Sequence, residues 1–364
     1  MENKEYSIFD LLPEDDGMKN YLVREKSSDW KWNMATDYPQ KNGLKVFSCF
    51  ACGGGSTMGY KLAGCDVIGD CELDKRMNDV YVKNHHPKYN YLMDIRDFNN
   101  LEDLPEELYN LDILDGSPPC STFSMAGERE EAWGKEKKFR EGQKVQTLDD
   151  LLFVYIQTVE KLRPKVAILE NVEGLLLGNA WRYVEKIYDM FRKIGYKVRH
   201  ELLKGEDMGV PQTRHRVFFI ATRLDFDIRK IDLRFFYQPV LCGEILAGEH
   251  NIGNTKREKI AKLTIRTDSN LGDANLRIFG KKTYFTESIV YRDEVCKTVV
   301  AGGNELWIEN TGAHLNPAEI INASTFPQDF DFCGQRPKYV CGMSVPPVMI
   351  KRLATRIIES GIFD

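Results

Sequence analysis

Lys45-Val46-Phe47-Ser48-Cys49-Phe50 runs directly into Ala51-Cys52-Gly53-Gly54-Gly55-Ser56-Thr57-Met58-Gly59. The first stretch is strand-like, the glycines free the backbone for a tight turn, and a helix is expected from there through Lys61. The same unit recurs downstream. Further strands are expected over 66–69, 112–114, 165–169 and 217–221, with helices over 75–84, 149–162 and 181–194. The second of these helices is the clearest, with apolar residues at positions 151, 152, 155, 156, 159 and 162. Strands alternating with helices predict an α/β fold with a Rossmann-like, doubly wound, mainly parallel sheet that takes its ligands at the carboxyl ends of the strands. After Arg223 the periodicity weakens, and a smaller second domain is expected. The reading divides the chain into an N-terminal arm (1–43), a cofactor-binding domain (44–222), a smaller domain (223–334) and a C-terminal segment (335–364). That segment includes an amphipathic helix over 346–360 that returns to the large domain. Residues 1–43 are polar and irregular, with Trp30 and Trp32 in a charged setting, and read as an arm outside the main domain.

A chain of 364 residues can bury a large core. No apolar run approaches the length of a membrane span, and the N-terminus lacks the form of a signal peptide, so a cytoplasmic protein is expected. Nine cysteines form no regular disulfide framework, which suits a reducing compartment. Cys49-x-x-Cys52 has no second pair at zinc spacing, since seven residues separate Cys333 from Cys341, so no metal is expected. The net charge of −5 gives no global support for nucleic-acid binding. Locally, positions 223–297 hold 14 Lys+Arg against 11 Asp+Glu, whereas the first 43 residues hold 6 against 9. One positive cleft is enough for a nucleic-acid enzyme, although a solvated face would read the same way.

The chemistry concentrates at strand ends. Pro118-Pro119-Cys120 follows a short strand, and two prolines hold the thiol in a fixed place, as a nucleophile requires. Most cysteines are small buried hydrophobes, so this tripeptide alone does not establish catalysis. Gly53 to Gly59 is spaced G-x-G-x-x-x-G, which weakens a nicotinamide reading. Glu72, at the end of the second strand, is placed to accept hydrogen bonds from ribose hydroxyls, and Asp94 could meet an adenine amino group. Glu170-Asn171-Val172 ends another buried strand. A carboxylate there would be partly desolvated and could donate to a ring nitrogen, although helix-end acids are common. Arg214 and Arg216 share a face of an extended backbone and could hold a phosphate or a base carbonyl; a solvent-facing pair is the plain alternative.

In this order, Phe50–Gly59, Glu72, Gly116-Ser117-Pro118-Pro119-Cys120, Glu170-Asn171-Val172, Gln212-Thr213-Arg214-His215-Arg216 and Gly342-Met343-Ser344-Val345-Pro346-Pro347 resemble the cytosine-5 DNA methyltransferase family. The likeness is close over 44–222 and looser over 298–356. It implies the class I methyltransferase fold with a target-recognition domain, and S-adenosylmethionine as cofactor. By motif position the cofactor site would comprise Phe50, Ala51, Cys52, Gly53, Gly54, Gly55, Glu72, Leu73, Asp94, Ile95, Pro118, Leu151, Ser344 and Val345. Cys120 would attack carbon 6 of a cytosine flipped out of double-stranded DNA, and Glu170 would engage N3 and the exocyclic amine. Arg216 would steady the base, with Pro119, Asn171 and Arg214 completing the catalytic set. The basic and aromatic stretch 121–147 would be a loop that closes over DNA, although its five acids (Glu128, Glu130, Glu131, Glu136 and Glu141) read equally well as a solvated mobile loop. Lys256, Arg257, Lys259, Arg266, Arg277, Lys281 and Lys282 are unranked candidates for DNA contacts. The resemblance further implies a site-specific, restriction–modification enzyme, monomeric and nucleoid-associated, with a cognate restriction endonuclease as partner.

Three positions depart from the family pattern: Cys52 for a glycine, Met343 for an asparagine and Ala318 for an arginine. The alternatives are a tRNA cytosine-5 methyltransferase, in a branch using the same residues, and a catalytically silent DNA-binding regulator. Retention of Cys120, Glu170 and Arg216 argues against the latter.

Overall fold

The computed structural model describes residues 25–119, 136–137, 146–147, 150–223, 225–250 and 252–364. Seven strands form its main sheet: β1 (Lys45–Cys49), β2 (Asp66–Glu72), β3 (Tyr89–Leu92), β4 (Ile113–Gly116), β5 (Val166–Val172), β6 (Tyr196–Lys204) and β7 (His215–Arg223). Their order is β3-β2-β1-β4-β5-β7-β6. The first five pair in parallel, whereas β7 runs antiparallel to both β5 and β6. The principal helices are α1 (Gly55–Leu62), α2 (Lys75–His85), α3 (Leu151–Leu162), α4 (Trp181–Lys193), α5 (Leu271–Phe279), α6 (Pro337–Met343) and α7 (Pro347–Glu359). None of the described helices is long and apolar enough to cross a membrane.

Side chains alternate across β1, so each face of the sheet gains its own core. Val46 joins Tyr60, Ile168, Phe218 and Ile350 under α1 and α7, while Phe47 joins Leu114, Tyr155, Leu169 and Phe219 under α3 and α4. Gly59 permits the close approach of α7, because a Cβ there would lie 2.4 Å from Ile350 Cβ. A third core draws Met58 and Leu62 of α1 and Met77 and Val80 of α2 together with Val290, Leu306 and Phe326. Residues after 223 therefore pack directly onto the helical layer that carries the glycine turn.

The expected central strands and helices form; most strands run longer than the sequence pattern suggests, while α3, α4 and α7 are one or two residues shorter. The two strands not anticipated as such are the sheet's edges. β3 has only four residues, and the sequence presents it as a short apolar segment before Asp94. β6 carries Lys197, Arg199, Glu201 and Lys204 and is half-exposed through its middle, so its apolar signal is diluted. The C-terminal helix forms as α7, preceded by an unanticipated α6.

The N-terminal reading needs correction for its described part. Trp30 and Trp32 are buried in the third core, and Trp32 Nε1 donates to Thr325 O at 2.8 Å. Asp29 is paired with Lys351 at 2.7 Å and Arg352 at 2.8 Å, both on α7. The Trp32 indole bonds a carbonyl 293 residues away, and both rings share a core with Phe326 and Phe330, where a local reading sees only charged surroundings.

Candidate active site

β1, β2, β4 and β5 all deliver their carboxyl ends to one cavity of about 440 Å³. That is the size of a small-molecule site, at the place where a doubly wound sheet takes its ligand.

The glycine turn forms one wall. Phe50 and Cys52 adopt left-handed backbone conformations (φ 56° and 49°), uncommon for residues with a side chain and concentrated at functional turns. Gly54 has φ 88°, and a Cβ on it would fall 2.0 Å from His85 Nε2. Gly53 and Gly54 do not line the cavity. Gly53 faces Val340 and Val80, so both glycines serve the packing behind the turn. Phe50, Ala51, Cys52 and Gly55 do line it. His85, buried beneath the turn, has its imidazole pKa pushed down to about 3, chiefly by burial, and stands as a neutral ring near Gly53 O.

Glu72 ends β2 and closes the turn. Its Oε2 accepts from Cys52 N at 2.8 Å and its Oε1 from Asp74 N at 2.7 Å. Burial raises the Glu72 pKa, while these backbone donors favour the ionised form and oppose that shift. A third backbone bond comes from Leu73, and a carboxylate has about four acceptor sites, so capacity for a ligand hydroxyl remains. Leu73, Asp94, Ile95 and Leu151 complete this half of the cavity. Asp94 also caps the short helix Ile95–Asn99 by accepting from Arg96 N at 2.9 Å, so the structural and ligand-facing readings of this residue coexist.

The opposite half comes from β4, β5 and β7. Pro118 and Pro119 line it, and Asn171 Nδ2 donates to Pro118 O at 3.4 Å, fastening the proline turn to the end of β5. Beneath that turn the Tyr155 hydroxyl lies within hydrogen-bond distance of Leu114 O (2.7 Å) and Ile168 O (2.8 Å). Gly116 is required there, since a Cβ would lie 2.3 Å from the Tyr155 ring. Cys120 and most of 121–147 lie outside the described residues; within that stretch Glu136–Lys137 and Gln146–Thr147 pair antiparallel.

Glu170 pairs with Arg216, whose Nε is 2.8 Å from Oε1. Strand register explains this contact. Glu170 sits opposite Phe218, and Arg216 is the diagonal neighbour on the same face. Arg214 reaches the same cavity from a different setting. It precedes β7, is 3% exposed, and donates to Val299 O at 3.1 Å and Gly342 O at 3.2 Å. Burial, with Arg216 nearby, disfavours its charge, and its Nε has no partner among the described residues. Both arginines line the cavity, as do Ser344 and Val345.

Below the cavity floor, Asp115 accepts from Ser48 Oγ and Tyr60 OH, each at 3.0 Å. Burial pushes its pKa up to about 7. Ser56, on the cavity wall, is a further hydrogen-bond partner of this carboxyl.

Sequence reasoning overlooked a third wall. Thr298, Val300 and Ala301 line the cavity together with Tyr339, Gly342 and Met343. Gly342 carried a signal, standing in a quoted motif: a Cβ on it would lie 2.3 Å from Ala301 N. Thr298–Ala301 fell only within the looser likeness over 298–356 and belongs to no quoted motif; tertiary contact brings that segment to the site.

Residues 44–359 match the family of C-5 cytosine-specific DNA methylases. M.FnuDI, a type II methyltransferase of Fusobacterium nucleatum, is 32% identical over 192 residues, covering 53% of this chain and 51% of the relative. The chain thus spans about half the length of that relative. M1.HphI of Haemophilus parahaemolyticus, also a type II methyltransferase, is 25% identical over 339 residues and 87% of each chain. Among solved structures, one described as a DNA modification methyltransferase encoded within an E. coli prophage aligns with a TM-score of 0.62 at 18% identity, over 87% of this chain and 99% of that one. DNMT2 of Spodoptera frugiperda aligns with a TM-score of 0.60 at 15% identity, over 88% and 100%. At these identities the structural likeness establishes the fold.

Proposed function

From a chain that belongs to the C-5 cytosine-specific DNA methylases, we propose site-specific DNA (cytosine-5-)-methyltransferase activity with S-adenosylmethionine as methyl donor. The observation that carries this reading is the convergence on one cavity of the Glu72-braced turn and the Glu170–Arg216 pair.

The residues fit the cofactor. The turn brings Phe50, Ala51, Cys52 and Gly55 to the cavity wall, Glu72 would offer acceptors to ribose hydroxyls, and Asp94 with Ile95 and Leu151 would take an adenine ring. When bound, the cofactor supplies an electrophilic methyl group. On the base side, the Cys120 thiolate adds to carbon 6 of the flipped cytosine. Glu170 hydrogen-bonds N3 and the exocyclic amine, stabilising the negative charge that the addition delivers to the ring. Arg216 holds Glu170 in place and reaches the base carbonyl. Carbon 5 takes the methyl group, a base removes the carbon-5 proton, and expulsion of the thiolate restores the aromatic ring. A soft nucleophile suits this sequence because it must both add and leave.

In this reading residues 44–222 hold the cofactor, 223–334 read the target, and 335–364 complete the large domain. The enzyme acts as a monomer in the bacterial cytosol, at the nucleoid, beside a cognate restriction endonuclease. Expression of the wild type and Cys120→Ala in a methylation-free host, followed by bisulfite sequencing, tests the proposal. The expected result is new 5-methylcytosine in one short sequence context with the wild type and none with the variant. Absence of any DNA signal from the wild type would overturn it.

A further inference from the structure

Strand register gathers two carboxyls on one face of the sheet. Asp115 of β4 stands level with Ser48 of β1 and with Ile168 of β5, so Glu170, two residues further along β5, is its diagonal neighbour on the same face. Glu170 has the Arg216 guanidinium set against it, whereas among the described residues no cation pairs with Asp115. Hydroxyls surround Asp115 instead. Ser48 Oγ and Tyr60 OH each donate to it at 3.0 Å, and Ser56 is a third partner. A hydroxyl can donate to a carboxylate or accept from a carboxyl, so this shell suits Asp115 with or without its proton. Asp115 is 1% exposed, and Ser56 lies on the cavity wall. The carboxyl thus sits one hydroxyl away from the cavity.

The ionisable groups coupled to Asp115 come from five elements. Burial pushes up Cys49 of β1, Tyr60 of α1, Tyr81 of α2 and Tyr155 of α3, which stay neutral near pH 7, and Glu170 of β5 is the fifth. On β7, Arg216 faces Glu170. α7 meets this face with apolar residues such as Val348 and Ile350, while its Lys351 and Arg352 are held by Asp29. Asp115, pushed up to about 7 by burial, changes charge in a range where the thiol and the phenols do not.

We propose that Asp115, acting through Ser56, is the group by which the site tells the cationic methyl donor from its product. The carboxyl gives up its proton to solvent when a sulfonium enters the cavity, and keeps it when the cavity holds the neutral thioether. The inference deepens the methyltransferase reading and rests on it. Donor and product share their adenosine, amino and carboxylate groups, and differ by one methyl group and one positive charge at sulfur. A unit charge about 7 Å from a carboxyl in a protein interior changes its ionisation constant about fiftyfold. By linkage, ionised Asp115 favours the donor by the same factor, so methyl transfer also removes the hold on the ligand. Ionisation breaks the carboxyl O–H bond and leaves the electron pair on oxygen, and one proton returns from solvent once the sulfur is neutral. Asp115 acts from beneath the wall, and therefore selects by charge alone.

The test is calorimetry of S-adenosylmethionine and S-adenosylhomocysteine in two buffers of different ionisation enthalpy, which counts protons released on binding. At pH 6.5 the wild type should release about 0.7 proton more with the donor than with the product. The ratio of donor to product affinity should rise about five- to tenfold from pH 6 to pH 8 and then level off. Asp115→Asn should bind both ligands and lose both differences. Ser48→Ala removes a donor that favours the ionised carboxyl, so the levelling point should move to higher pH. Asp70→Asn, which alters another buried acid away from the cavity wall, should behave as wild type. Equal proton counts for the two ligands in the wild type would overturn the inference and leave the enzyme reading standing. A difference that survives Asp115→Asn, or that disappears in Asp70→Asn, would overturn it as well. Failure of the wild type to bind either ligand would instead remove the cofactor reading beneath it.

Discussion

Glu170 is 8% exposed, and the Arg216 guanidinium is the cation set against it, at 2.8 Å. Two residues away, Arg214 spends its donors on the carbonyls of Val299 and Gly342, which are 85 and 128 residues distant in sequence. Sequence spacing suggested one shared face for both arginines. Arg214 also fastens the wall at Thr298–Ala301 to the end of α6, and no local pattern announces partners so remote. The position of Glu170 on the cavity, by contrast, was legible, because a carboxylate closing a buried apolar strand has few places to face except the crevice. If Glu170 stabilises the ring during addition, Glu170→Gln should lower methyl transfer about 10² to 10⁴-fold. Binding of S-adenosylhomocysteine should stay within a few-fold of wild type, since Glu72 and the turn are untouched. Single-turnover assays with calorimetry measure both quantities, and near-normal transfer would remove Glu170 from the chemistry.

At the scale of elements, the strands that can be read from sequence are those buried on both faces. β1, β4 and β5 are almost wholly buried and mostly apolar, with Ser48 and Asp115 as buried polar members of β1 and β4, and their carboxyl ends locate the site. The edge strands β3 and β6 contribute pairing but little apolar signal, so their existence follows from topology more than from composition. The glycine turn was legible as a turn at the mouth of the sheet, yet its residues divide in a way that spacing does not reveal. Gly55 reaches the cavity, while Gly53 and Gly54 make room for Val340 and His85 behind it. Gly54→Ala therefore combines a left-handed backbone with a collision at 2.0 Å against a buried ring. The turn should shift off Glu72, and cofactor-product affinity should fall at least about tenfold, because both penalties act on the binding loop itself. Gly303→Ala, which meets nothing within 4 Å, is the matched control. Equal affinities in the two variants would show that the turn does not form the cofactor wall.

Over the whole molecule, three buried ionisable groups make stability depend on pH in opposing senses. Asp70 and Asp115 have pKa values raised to about 7 by burial, and His85 is lowered to about 3. From about pH 4 to 7 each aspartate is ionised in the unfolded chain but holds its proton in the native one. The unfolded state then binds fewer protons, so stability falls as pH rises through this window and levels off above it. His85 does the reverse between about pH 6.5 and 3, where only the unfolded chain takes up the proton and acid destabilises the fold. Asp115→Asn isolates one contribution. The amide keeps an acceptor for one of the Ser48 and Tyr60 hydroxyls, and the other hydroxyl can rotate to accept from its NH₂. Urea titrations of both proteins from pH 4 to 8 should show the variant gaining on the wild type by about 1.4 kcal/mol per pH unit up to about pH 7. Above that the gap should hold at no more than about 4 kcal/mol. A gap independent of pH would mean that Asp115 is ionised throughout, and the carboxyl beneath the proline turn would then be a permanent charge facing Glu170 rather than a proton carrier under the cavity floor.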